Sequence, residues 1–126
     1  DYAAVLLNDS YTPSRAGQTY DDIDDNEIAD ADYAQVQLAG KAVDVNSTEI
    51  RYAHNTISFG TDVTISAKYL AIVEGTAGSL GASAVVLGVV DLNDGEAGGV
   101  SSTNNDFNYS SPTRGLIAVA RSAEPA

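Results

Sequence analysis

The chain contains no cysteine, tryptophan or methionine. Without cysteine there is no disulfide framework and no thiolate chemistry. A zinc site needs several His or Cys ligands, and His54 is the only histidine. Basic residues are scarce too, with 6 Lys and Arg against 18 Asp and Glu and a formal net charge of −12. Such a surface repels phosphate backbones and anionic lipid, so nucleic acid and membranes are not expected partners. The longest apolar run, Ala82 to Val90, is far too short to span a bilayer. No basic region precedes an apolar stretch, so no signal peptide is expected. Also missing is any sustained helical stripe of apolar residues, which limits helix to one or two short turns.

What is present is a chain of 126 residues, the length of one domain, with 44% hydrophobic residues. Short β-rich runs alternate with turn residues. Tyr2 to Leu7 reads as a first strand, and 1–20 as a whole as a contact arm. Tyr33 to Leu38 alternates, with Ala34, Val36 and Leu38 on one face. Val43 and Val45, Ile50 and Tyr52, Ile57 and Phe59, and Val63 and Ile65 mark further strands. Tyr69 to Val73 is continuously apolar and reads as a central strand. Ala84 to Leu92 reads as the most buried strand, with Gly88 at a bulge or close contact. Asp94-Gly95 is a turn signal. Residues 98–112 read as a polar loop, 115–120 as the last strand, and 121–126 as a second contact arm. The expected fold is an all-β single domain over 1–126, an antiparallel β-sandwich or small barrel.

Chemistry-bearing constellations are few. The segment Asp21 to Asp32 is dense in carboxylates, and hard cations need several converging oxygens. Asp22, Asp24 and Asn26 have the spacing that opens an EF-hand loop. The next template position requires Gly but holds Glu27, and the last requires Glu but holds Tyr33. An irregular Ca²⁺ site on Asp22, Asp24, Asn26 and Glu27 is left open; a solvated acidic loop, with Asp22 or Asp24 capping a helical turn, is the simpler reading. Asp91, Asn93 and Asp94 form a second oxygen group, better read as a turn. His54 has Ser47 and Glu49 near in sequence but no nucleophile pattern, and is read as strand or loop surface. No phosphate-binding loop is present. Asn8, Asn46 and Asn108 head N-x-[ST] sequons that polar loops produce by chance. No enzyme is expected. Seven tyrosines are spread along the chain, and Tyr suits interfaces. Tyr2, Tyr11 and Tyr20, with Arg121, are the candidate partner contacts.

Three stretches together carry a resemblance. They are Val5-Leu6-Leu7-Asn8-Asp9-Ser10-Tyr11-Thr12-Pro13 with Tyr20 to Ile23 and Asn26 to Ile28; Tyr33 to Lys41; and Thr61 to Val73 with Leu87 to Leu92. In this order they resemble small virion structural proteins of tailed bacteriophages, of the capsid decoration or cement type. The resemblance implies a non-enzymatic subunit on the outer capsid surface, stabilising the head. It also implies a homo-oligomer, a trimer above others, that binds the major capsid protein or another virion protein. It implies no catalytic residue and no cofactor. A phage tail or head-fibre component, an extracellular filament or surface-layer subunit, and a Ca- or carbohydrate-binding sandwich are the alternatives.

Overall fold

Tyr2–Leu7 (β1) and Tyr69–Glu74 (β7) are nearly unbroken apolar runs, and they pair antiparallel over their whole length, from Tyr2↔Glu74 to Leu7↔Tyr69. Strands buried on both faces lose the in/out alternation of polarity and read as continuous apolar sequence. Both faces are indeed covered. Ala4, Leu6, Leu70 and Ile72 join one core with Ile57, Phe59, Ile65 and Phe107. Val5, Leu7, Ala71 and Val73 join a second core with Tyr11 and Ile23. Burying a side chain such as Leu6 contributes about 1.5–3 kcal/mol, so this central pair anchors the domain.

The computed structural model describes residues 1–14, 16–40, 42–45, 49–110 and 117–120, and of 42–45, 49–53 and 117–120 the backbone alone. The remaining strands are Val36–Gln37 (β2), Ala42–Val45 (β3), Glu49–Ala53 (β4), Ile57–Ser58 (β5), Val63–Ala67 (β6), Val86–Asp91 (β8), Val100–Asn105 (β9), Asn108–Tyr109 (β10) and Ile117–Ala120 (β11). They form sheets ordered β2-β1-β7-β8, β10-β5, β11-β4-β3 and β6-β9. Every strand pair is antiparallel. The all-β antiparallel class expected from the sequence is the observed one. Among the described residues helix is confined to Tyr20–Ile23 (α1) and a 3₁₀ turn at Asp24–Asn26.

Three expectations are corrected. The strand at Tyr33 to Leu38 shrinks to β2, because Tyr33 and Gln35 turn their side chains into a hydrogen-bonded cluster instead of alternating on a sheet. The polar stretch 98–112 contains β9 and β10. There, pairing is by backbone and small polar groups: Ser102 Oγ donates to the Val63 carbonyl and Asn104 N–H to Thr64 Oγ1. β8 is not the most buried strand but an edge of its sheet, with Leu87 39% exposed and Val85, just before it, 54%. A bulge falls beside Gly88, where Ile72 faces Gly88 and Val73 faces Val86, leaving Leu87 as the extra residue.

A single residue, Lys68, separates β6 from β7, and there the chain leaves one sheet for another. Its N–H donates to the Leu7 carbonyl, and its own carbonyl accepts from Leu92. The start of β9 presses on this corner. A Cβ on Gly99 would sit 2.6 Å from the Ala67 carbonyl oxygen, so only glycine fits.

Candidate functional site

The acidic segment is built into the fold residue by residue. Thr19 precedes α1, and the Asp22 carboxylate reaches back to the Thr19 N–H at 2.8 Å and its hydroxyl at 3.2 Å. The capping residue is therefore Thr19, and Asp22 sits in the first turn where its charge meets the positive helix end. Asp30 and Asp32 accept from the backbone N–H groups of Ser66 and Thr64, each at 2.8 Å. Those two carboxylates take the place of a neighbouring strand along the outer edge of β6.

Glu27 holds the densest polar cluster. Its carboxylate accepts from Tyr20 Oη and Tyr33 Oη, each at 2.5 Å, and from Gln35 Nε2 at 3.0 Å. Tyr33 Oη in turn accepts from the Leu6 N–H at 3.2 Å. This bond falls just beyond the point where β2 stops pairing with β1 at Ala4↔Val36. The tyrosine hydroxyl thus continues the ladder along β1 that β2 leaves unfinished, and Ile28 N–H completes it on the Leu6 carbonyl. Burial, then the bond to Glu27, pushes the Tyr33 phenol far above the usual tyrosine range. The same two causes push Tyr20 up to about 12. Gln35 Oε1 and Gln37 Oε1 also accept from Gly78 and Ala77 N–H, tying down the Gly75–Gly78 turn.

A second brace centres on Lys68, 6% exposed. Its ammonium lies 2.8 Å from Asp91 Oδ1, donates to the Glu96 carbonyl and lies 5.5 Å from the Tyr69 ring centroid. Asp91 also accepts from Asn93 and Gly95 N–H. The Lys68 hydrogen bond, then the Asn93 amide, hold the Asp91 carboxyl below its usual range. Asp94 and Gly95 both have positive φ, 51° and 85°, and the Glu96 N–H closes the turn on the Asn93 carbonyl. The oxygen group at Asp91, Asn93 and Asp94 is therefore a turn braced by a lysine.

These placements decide the fate of the sequence candidates. Asp22, Asp24, Asn26 and Glu27 do not converge. Asp22 is turned to Thr19 and Glu27 to two tyrosines, and among the described residues no three His, Cys, Asp or Glu side chains gather closely enough for a metal ion. Tyr11 is core: it is 4% exposed, packs edge-on against Tyr69 at 5.3 Å, and donates to Gln18 Oε1 at 2.5 Å. Tyr20 is half-buried in the Glu27 cluster, and Tyr2 is half-buried against the larger core. Within the expected contact arm 1–20, Tyr2–Leu7 is the central strand, while residues 9, 10, 12–14, 16 and 17 are exposed. Arg121 and the tail 121–126 lie outside the described residues.

His54 is corrected from surface to interior, at 6% exposure. Its Nδ1 lies 2.5 Å from the Asn55 carbonyl, which must accept, so Nδ1 donates and Nε2 is the ring nitrogen left over. That buried nitrogen has no partner among the described residues. The ring is tilted against Tyr109, 5.9 Å between centroids.

Sequence reasoning missed both braces. The members of the Glu27 cluster lie six to eight residues from Glu27 in the chain, a spacing with no motif. Lys68 had a signal: a lone cation between two apolar runs.

Two surface features remain. A cleft of about 460 Å³ is walled by Val90, Leu92, Phe107 and Tyr109, with Asp106 and Asn108 at its polar side. A groove of about 320 Å³ runs along β8 beside the loop bearing Pro13 and Gly17. No helix among the described residues is long and apolar enough to cross a membrane. Comparison with protein-family models, with curated proteins and with solved structures finds no match to this chain.

Proposed function

We propose that this chain is a structural subunit of a virion surface, a capsid decoration protein that binds the outside of a phage head and stabilises it. The observation that carries the reading is how the polar groups are used. Glu27, Lys68, Asp91, Asp30 and Asp32 are committed to internal bracing of a small β domain. The exposed remainder is acidic, with Asp21, Asp24 and Asp25 presented on α1 and the following turn. A cross-braced domain with carboxylates outward suits attachment to a basic shell surface, by area and charge instead of a reactive pocket. The ordered resemblance of Val5 to Pro13, Tyr33 to Lys41 and Thr61 to Val73 to small phage virion proteins supports the same reading. Binding the assembled shell and not its separated subunits stabilises the shell by mass action.

The test is co-sedimentation with empty capsid shells from the same source. Saturable binding, weakened when Asp21 and Asp25 are both changed to Lys, is the expected result. Binding unaffected by that charge reversal removes the electrostatic part of the reading, and no binding removes the whole. The cleft beside Phe107 and Tyr109 favours one second reading, a carbohydrate-binding module, since a ring beside a carboxylate and an amide suits a sugar. Calorimetric titration with a panel of oligosaccharides, with Tyr109→Ala as control, separates it from the first.

A further inference from the structure

We propose that the cleft between the end of β8 and β10 is a pocket for an arginine side chain carried by a basic partner protein. It rests on the reading of a basic partner surface and names where one side chain of that surface seats. The cleft holds about 460 Å³, and Val90, Leu92, Val100, Phe107 and Tyr109 wall it. Such walls suit the hydrocarbon stem of a long side chain. The polar edge is acidic: Asp106 lines the cleft, and among the described residues no Lys, Arg or His does.

Asp106 is held ready but unused. Glu27, Asp30, Asp32 and Asp91 are engaged by their own chain. The Asp106 carboxylate has no hydrogen bond or ion pair among the described residues. Its backbone is nevertheless fixed. Asn105 Oδ1 accepts the Asp106 N–H at 2.9 Å, and the Phe107 N–H donates to the Gly60 carbonyl at 3.2 Å. Just before it β9 bulges. Val63 faces Asn105 and Ile65 faces Ser102, so Thr103 and Asn104 together oppose Thr64, with Asn104 at φ 47°. Bulges re-aim side chains beside binding sites, and left-handed backbone at a residue other than glycine gathers at such places. The opposite wall is backed as well, since the Tyr109 ring lies against buried His54, 5.9 Å between centroids.

The occupant follows from this pairing of charge and apolar wall. A neutral sugar would leave the carboxylate without a counter-charge, and a small hydrated cation would leave the walls uncovered. A guanidinium on its stem meets both. It is planar and weakly hydrated, stacks on an aromatic face such as Tyr109, and presents paired N–H groups to a carboxylate. In a chain of net charge −12 a cation is also drawn in from a distance.

The probe is N-acetyl-argininamide, added to the full chain while its amide resonances are followed by NMR. Saturable shifts should gather at residues 106–109 and at Val90 and Leu92. N-acetyl-norleucinamide, with a stem but no charge, should bind about fivefold more weakly, and Asp106→Asn should weaken the arginine probe by the same factor. Asp25→Asn, exposed on the turn after α1, should leave it unchanged. Equal binding of the norleucine probe, an equal loss in both Asp variants, or shifts spread over the acidic surface each overturns the proposal. So does an oligosaccharide that saturates the same amides while the arginine probe is silent. A chain that seats the probe but ignores empty shells keeps the pocket and removes the capsid as its partner. A chain that binds shells but not the probe keeps the capsid and removes the pocket.

Discussion

Replacing Tyr33 with Phe deletes one oxygen atom and keeps the ring, including its stacking on Phe59 at 6.2 Å between centroids. Two bonds go with that oxygen. The first is the 2.5 Å donation to the Glu27 carboxylate; hydrogen bonds to charged groups contribute about 1.5–3 kcal/mol. The second is the acceptor for the N–H of Leu6, a residue with 0% exposure. A buried amide left without a partner costs about 1–3 kcal/mol. Glu27 keeps Tyr20 and Gln35, which offsets part of the loss. The expected net destabilisation of Tyr33→Phe is about 3 kcal/mol, or roughly a 10 °C fall in melting temperature for a domain of this size. Tyr20→Phe removes a more exposed hydroxyl that supports no backbone amide, and should cost about 1 kcal/mol. Urea unfolding followed by tyrosine fluorescence measures both. A Tyr33→Phe loss below about 0.5 kcal/mol, or one no larger than that of Tyr20→Phe, would refute the claim that this hydroxyl completes the ladder along β1.

Further outcomes follow from the same geometry. Tyr20 and Tyr33 are raised in the folded state, so their contribution is fully present below the unfolded value near ~10. It is lost as pH climbs through the folded values; tyrosinate absorbance should show these two ionising late, together with unfolding, and simple titration of all seven near the ordinary value would contradict it. Asp91 is lowered, so its contribution is present above the unfolded value of about 3.9 and fades as pH falls through the folded one. Asp91→Asn should therefore flatten the acid limb of the stability profile, and an unchanged limb would count against the brace. Lys68→Met leaves the 91–99 turn without its ammonium, and the amides of Asn93 and Gly95 should exchange about tenfold faster or more; unchanged protection would mean the turn holds itself. His54→Phe removes the Nδ1 bond to the Asn55 carbonyl together with a buried Nε2 that has no partner among the described residues; the two offset, and the net change should stay within about 1 kcal/mol, whereas a loss above ~2 kcal/mol would contradict that offset.

The parts of the fold legible in the sequence were those where side chains alone decide. Tyr2–Leu7 and the Tyr69 strand were placed because burial on both faces leaves an unbroken apolar run, and Asp94-Gly95 because positive φ selects those residues. β8 misled because a continuous apolar run reads the same whether a neighbouring strand covers it or a groove opens beside it. β9 was missed because backbone pairing and the hydroxyls of Ser102 and Thr64 hold it, and neither leaves a hydrophobic pattern. The acidic segment was legible as a cluster of charge, but its use was not. Asp30 and Asp32 act on β6, more than thirty residues away in the chain, and only the fold brings them there.

The central claim is attachment to a capsid, and sedimentation of the purified chain with empty shells from the same source tests it most directly. The account predicts saturable co-sedimentation and a higher melting temperature for the shells with the protein than without it. A chain that stays in the supernatant at every concentration and leaves the shell melting unchanged would contradict it.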